Sequence, residues 1–235
     1  MPLIPLDIPP GGYRNGTEFE QSGRWRDMNL VRWRDGSLRP IGGWRLRAAT
    51  AYTGVPRGMI AWEDLSGDRR VAVGTSSNLY STSASGTTTD ITPAGFTSGN
   101  EIAAVNTGFG GGFYGSSYFG TARPDTGNFG EATTWAMDNW GEYLVACSNT
   151  DGKIYEWQLD IASNAVVLSN APVDNLSMMV TGERFLFALG AGGNPRKVQW
   201  SDRENNTLWT AADTNEAGDL ELQTAGQIMC GLSVR

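Results

Sequence analysis

One stretch of this chain occurs twice, and that repeat restricts the fold more than any other feature. Trp135-Ala-Met-Asp-Asn-Trp-Gly141-Glu142-Tyr-Leu-Val-Ala-Cys-Ser148 runs parallel to Leu176-Ser-Met-Met-Val-Thr-Gly182-Glu183-Arg-Phe-Leu-Phe-Ala-Leu189, with the Gly-Glu turn recurring after 41 residues. In each copy an apolar strand follows the turn, and an aromatic strand comes next (Ile154 to Leu159, Val198 to Trp200). A degenerate earlier copy starts at Gly58-Met-Ile-Ala-Trp62, turns at Ser66-Gly67-Asp68, continues through Val71 to Val73 and returns through Leu79-Tyr80. Units of roughly 40 to 50 residues with four short antiparallel strands are the period of β-propeller blades. A pair of meanders in a β-sandwich obeys the same strand grammar and stays open as an alternative. A fourth unit begins at Ile228 to Arg235 as one strand entering a turn. Its remaining strands are expected from a sister segment or from further sequence.

The local pattern agrees with an all-β chain. No segment keeps apolar residues at helical spacing over three turns, whereas period-two alternation is frequent. In Lys153 to Asp160, Tyr155, Trp157 and Leu159 share one face, and Glu156, Gln158 and Asp160 the other, which predicts a half-buried strand. Asp219 to Gln223 repeats the pattern with Leu220 and Leu222. Ser66 to Asp68, Asn149 to Gly152 and Gly192 to Pro195 are hairpin punctuation. The expected architecture is therefore β-propeller-like blades of four-stranded antiparallel sheets, incomplete in this chain, with an extended N-terminal arm. Residues 1–57 form the Arg/Trp-rich arm and first strands, and residues 58–235 the propeller-like domain, with a Gly/aromatic-rich insertion at about 108–130.

Composition removes most chemistry. The chain has no histidine, which excludes Ser-His-Asp and Cys-His nucleophiles, His-ligated zinc and His acid-base catalysis. Cys147 and Cys230 have no CxxC partners and read as small buried hydrophobes. Gly110-Gly-Gly112-Phe-Tyr-Gly115 satisfies GxGxxG, but no strand feeds it and no helix follows to hold a pyrophosphate. Paired carboxylates are the one catalytic device left. The acids sit on hairpin turns, where they read as solvated loop residues. No catalytic residue, cofactor, metal or small-molecule substrate is therefore assigned. The proline-broken start, MPLIPLDIPPGG, is neither signal peptide nor membrane span, and no transmembrane segment is expected.

Charge separates the chain into two parts. Residues 1–57 hold nine arginines against five acids, +4, and the other 178 residues hold nine bases against twenty acids, −11, together the −7 of the whole. Within the arm, Arg24-Trp25-Arg26, Arg32-Trp33-Arg34 and Trp44 interleave cations with indoles, a composition suited to cation-π stacking and to protein interfaces. Acids interrupt the arginines, so pairing with protein acids is favoured over nucleic acid. Residues 108–130 hold eight glycines and six aromatics. Phe109, Phe113, Tyr114, Tyr118 and Phe119 within them are the second set of expected interface residues, on a permissive backbone suited to packing against another surface.

Several of these runs carry a family resemblance. Gly12-Tyr-Arg-Asn-Gly16 through Arg24-Trp25-Arg26, Arg32-Trp33-Arg34, Pro40 and Trp44 resembles the opening of tail proteins of short-tailed, double-stranded DNA phages. The Gly-aromatic run at 108–120, Val198-Gln-Trp-Ser-Asp202 and Leu208 to Leu222 are similar to later signatures of the same group. The group is that of tail nozzle or tail-tube proteins, also described as tail hub or stabilisation proteins. The resemblance implies a propeller-containing subunit of the virion tail, several copies of which form a homo-oligomeric ring around the DNA exit channel. It places the ring below the portal and adaptor, beside tail fibre or spike proteins, with genomic DNA passing without sequence-specific binding. It carries over no catalytic residue. Such proteins are usually much longer, so the resemblance also implies sequence beyond residue 235. Two other functions fit the residues: a host-glycan-binding tail module, since clustered Trp and Tyr stack sugars, and a carboxylate-dependent glycan hydrolase.

Overall fold

The structure, a computed structural model, describes residues 11–43, 45–48, 50–103 and 130–233. The chain forms two compact units, Met1–Leu46 and Arg47–Arg235. Among its described residues the first contains one antiparallel hairpin, β1 (Val31–Arg34) and β2 (Ser37–Pro40). Asp35 and Gly36 link the strands at φ 52° and 72°, the left-handed pair that a two-residue hairpin loop needs and that Asp-Gly supplies. The cross-strand register puts Trp33 opposite Leu38 and Arg32 opposite Arg39. One face therefore presents Val31, Trp33, Leu38 and Pro40, and the other Arg32, Arg34 and Arg39.

Among its described residues the second unit holds three four-stranded antiparallel meanders, each in sequential order. The first is β3 (Pro56–Glu63), β4 (Arg69–Thr75), β5 (Leu79–Ser83) and β6 (Thr88–Asp90). The second is β7 (Trp135–Trp140), β8 (Tyr143–Ser148), β9 (Ile154–Trp157) and β10 (Val166–Val167). The third is β11 (Ser177–Val180), β12 (Leu186–Leu189), β13 (Lys197–Trp200) and β14 (Gly218–Glu221). The first strand of the middle sheet, β7, packs between β3 and β11. The fold is all-β with propeller-like blades, and no sheet closes on itself among the described residues.

Two apolar layers hold the blades together. Between the first and second lie Ala72, Leu79 and Ile91 against Trp135, Leu144, Ala146, Tyr155 and Trp157, with Phe96 wedged 5.1 Å from the Trp135 ring. Between the second and third lie Val145, Cys147, Ile154 and Leu168 against Met178, Leu186, Ala188 and Trp209. Odd and even residues of β8 thus face opposite neighbours, so the middle blade is apolar on both sides. Trp135 fits because Gly74 and Gly58 leave room: a Cβ on Gly74 would stand 2.4 Å from the indole, and one on Gly58 2.7 Å from the Trp135 Cβ. The indole N–H then reaches the Thr75 carbonyl at 2.8 Å.

Four expectations need correction. The strand from Ile154 ends at Trp157 and is buried on both faces, Glu156 included, because blades pack on both sides of it. β14 is an outer edge strand, and Leu220 and Leu222 are exposed rather than core. Residues 228–233 form no strand: the Ile228 N–H donates to the Pro195 carbonyl at 2.9 Å, but no strand ladder continues from it among the described residues, and Gly231 lies against Met179 and Leu189 instead. Cys230 is exposed, while Cys147 is buried as expected. The repeat also slips by one beyond its turn. Gly141-Glu142 is a two-residue link, whereas 181–185 is a five-residue one containing Arg184 at φ 63°. Met137 pairs with Ala146 and Met178 with Ala188, so Leu144 corresponds structurally to Leu186, not Phe185.

Filling the Trp135 seat should break the blade contact. Gly74→Ala is expected to lower stability by about 1–3 kcal/mol, the usual cost of overpacking a buried contact, read as a lower midpoint in urea unfolding. An unchanged or higher midpoint would mean that the Trp135 seat is looser than described.

Candidate protein interface

The hairpin turns do more than reverse the chain. Glu142, on the β7–β8 turn, reaches the first blade: its carbonyl accepts from the Trp62 indole N–H at 3.1 Å, and its carboxylate from the Leu65 N–H at 3.3 Å. Arg184 on the next turn lies 5.1 Å over the Trp140 ring of the middle blade, and Asp138 accepts from the Val180 N–H at 2.9 Å. Each blade is thus stapled to its predecessor at this end. At the other end, buried Asn175 donates through Nδ2 to the Gly152 carbonyl at 2.7 Å.

A buried ion pair reinforces the first staple. Asp64 is almost wholly enclosed, accepts from Arg70 Nε at 3.0 Å, and takes the N–H groups of Ser66 and Asp68. Arg70 in turn lies 5.8 Å from the Trp157 ring centroid in the middle blade. Burial pushes the Asp64 carboxyl upward, but the Arg70 bond and the two backbone donors outweigh it and hold the pKa below its ordinary value. Glu156 is buried against Asn206 Nδ2 at 2.5 Å and Gln158 Nε2 at 2.9 Å. Burial pushes the Cys147 thiol well above its usual range, which makes it inert. The carboxylates of Asp64 and Glu156 are satisfied by these partners. No group of three or more Cys, Asp or Glu could hold a metal among the described residues.

What remains is surface. In the first unit Arg24 stacks 5.2 Å over Tyr13, whose N–H donates to the Trp25 carbonyl. Arg26 pairs with Glu18 at 3.9 Å and Arg34 with Asp35 at 3.6 Å, exposed pairs of small energetic weight. Trp25 is 37 % exposed, Arg32 and Arg34 lie on the open face of the hairpin, and Trp33 is half-buried with its indole N–H unbonded. The structure therefore gathers Arg32, Trp33 and Arg34 on one hairpin and keeps Arg24, Trp25 and Arg26 in the preceding turns. Trp44, Phe109, Phe113, Tyr114, Tyr118 and Phe119 lie outside the described residues.

The second unit has a surface that the repeat reading overlooked. The face of the third blade directed away from the second carries Phe187, stacked 5.8 Å from Trp200, with Phe185 6.5 Å from Phe187. All three rings are half-buried. They line a hollow of about 470 Å³ rimmed by Glu183, Arg203 and Glu216. The signal was present in Phe185 to Leu189: a strand apolar at consecutive positions needs cover on both faces, and among the described residues only one face is covered by a blade. A cavity of about 630 Å³ lies among the first strands of the three blades and residues 229–232.

Comparison with known protein families, characterised proteins and solved structures finds no match to this chain. No helix among the described residues is long and apolar enough to cross a membrane.

The Asp64 arrangement has a pH signature. Because its folded pKa is depressed, its contribution is present above the unfolded value and lost as pH falls through the folded one. Asp64→Asn should lower the melting temperature at neutral pH and flatten the acid side of the Tm–pH curve. A variant with the wild-type acid limb would show that the pair does not carry this dependence.

Proposed function

We propose that this chain is a structural, non-enzymatic subunit of a phage tail nozzle, assembled as a homo-oligomeric ring around the DNA exit channel in the virion tail. Its neighbours in this reading are the portal and adaptor above and tail fibre or spike proteins beside it. The observation that supports it best is the aromatic face of the third blade, which no other blade covers among the described residues and whose ring make-up suits packing on protein. The arginine-tryptophan arm and the family resemblance of the opening run support it independently. The −11 balance of residues 58–235 suits a wall past which DNA slides, since like charge prevents adhesion.

A second reading is favoured by one feature. The Phe185, Phe187 and Trp200 rings beside Glu183, Arg203 and Glu216 also have the make-up of a small-molecule hollow, apolar walls with a few polar groups, as a host-glycan binder would need. Quantitative mass spectrometry of purified phage particles separates the two. The nozzle reading expects several copies per virion, retained in tails detached from heads. Absence from particles, together with glycan binding by the purified chain that Trp200→Ala abolishes, would replace it with the second.

A further inference from the structure

One dipeptide of the first unit joins a labile side chain to a backbone that leaves it open. No asparagine of the chain other than Asn15 precedes a glycine. Asparagine is lost by attack of the following residue's nitrogen on its side-chain carbon, and glycine, with no Cβ, obstructs that approach least. Asn15 and Gly16 lie exposed in a bend ahead of β1. Among the described residues, neither the Asn15 side chain nor the Gly16 N–H has a hydrogen-bond partner. Other asparagines are held. Asn149 accepts from the Thr134 N–H at 2.8 Å and donates to the Ala132 carbonyl at 3.2 Å. Asn175 donates to the Gly152 and Pro172 carbonyls, and Asn215 accepts from the Ala212 N–H at 3.1 Å.

The glycine is itself required by packing. A Cβ at position 16 would stand 2.8 Å from the Tyr13 ring and 2.9 Å from the Glu20 carboxylate, so a bulkier residue that would slow the attack does not fit without displacing them. The Gly16 and Arg14 carbonyls both accept from Gln21 Nε2, at 2.9 and 3.3 Å. This clamp anchors the backbone on either side of Asn15 through atoms that take no part in the reaction.

We infer that Asn15–Gly16 is a site of spontaneous modification, where asparagine converts to aspartate and isoaspartate in the folded chain. The Gly16 nitrogen loses its proton to solvent base and bonds to Asn15 Cγ. The Cγ–Nδ2 bond breaks, and the departing nitrogen takes a proton from water and leaves as ammonia. Water then opens the five-membered succinimide. Attack at Cγ restores the ordinary backbone with aspartate at position 15, whereas attack at the main-chain carbonyl carbon leaves isoaspartate, whose backbone runs through Cβ and Cγ. Either product adds one negative charge, so residues 1–57 then hold nine arginines against six acids and pass from +4 to +3. Isoaspartate also inserts a main-chain carbon between the two carbonyls that Gln21 bridges, which loosens the clamp. The site stands on the first unit alone and does not depend on the tail reading.

The test incubates the full 235-residue chain at mildly alkaline pH and physiological temperature, folded and, in parallel, unfolded in guanidinium chloride. Digestion at acid pH, where the reaction stops, and tandem mass spectrometry with electron-based fragmentation read position 15. The folded chain should lose Asn15 at a rate within about threefold of the unfolded chain's, since an open site needs little local unfolding to react. The product should carry the mass gain of an NH2-to-OH exchange, mostly as isoaspartate, while Asn149, Asn175 and Asn215 stay intact. Asn15→Gln, whose longer side chain closes only a six-membered ring, should keep its mass over the same period, with circular dichroism establishing that it is folded. A folded chain that keeps Asn15 while the unfolded chain converts overturns the proposal, because the fold then protects the site. So does conversion in neither sample, or an equal mass gain at position 15 of the Asn15→Gln variant.

Discussion

Trp135 seated over Gly58 and Gly74 is the contact on which the three-blade arrangement depends. The indole leaves the first strand of one sheet, fills the space that two missing side chains create in its predecessor, and bonds the Thr75 carbonyl beneath. Burying a ring of this size removes roughly 150–250 Å² from water, a gross gain on the order of 4–6 kcal/mol. Tyr155, Trp157 and Phe96 complete the same layer. With the first two sheets fixed at this spacing, the opposite face of the middle sheet is offered to the third through Val145, Cys147 and Ile154. The middle blade depends on both neighbours, since neither of its faces is polar.

Sheet content, strand order and the three hairpin positions at 64–68, 149–153 and 190–196 were legible because alternation and turn residues are local properties. The turn repeat was legible as a repeat, but its meaning was not. Glu142 staples a blade through Trp62 and Leu65, whereas its counterpart Glu183 is exposed and Arg184 makes the corresponding contact with Trp140. A one-residue slip in a strand exchanges its faces, and only cross-strand pairing reveals which of Phe185 and Leu186 turns inward. Glu156 was misjudged for a related reason: its burial depends on Asn206, fifty residues away, and nothing in the alternation around it records that partner.

The candidate interface was read in halves. The arm was legible as a stretch that interleaves tryptophan and arginine, and Arg32, Trp33 and Arg34 fall on one hairpin. The aromatic hollow of the third blade was hidden inside an ordinary apolar run, since exposure is a property of what does not pack. The buried Asp64–Arg70 and Glu156–Asn206 pairs are locked by partners, and the thiol of Cys147 is enclosed.

If the blades are mutually supporting, protection from hydrogen exchange should follow position in the stack rather than strand content. Native-state exchange followed by mass spectrometry, resolved to strands, tests this directly. The account predicts that β8 and β9 of the middle blade exchange slowest and that the outer strands β10 and β14 exchange first. Exchange of the middle blade as fast as that of the first, or opening of each sheet independently of the others, would contradict it.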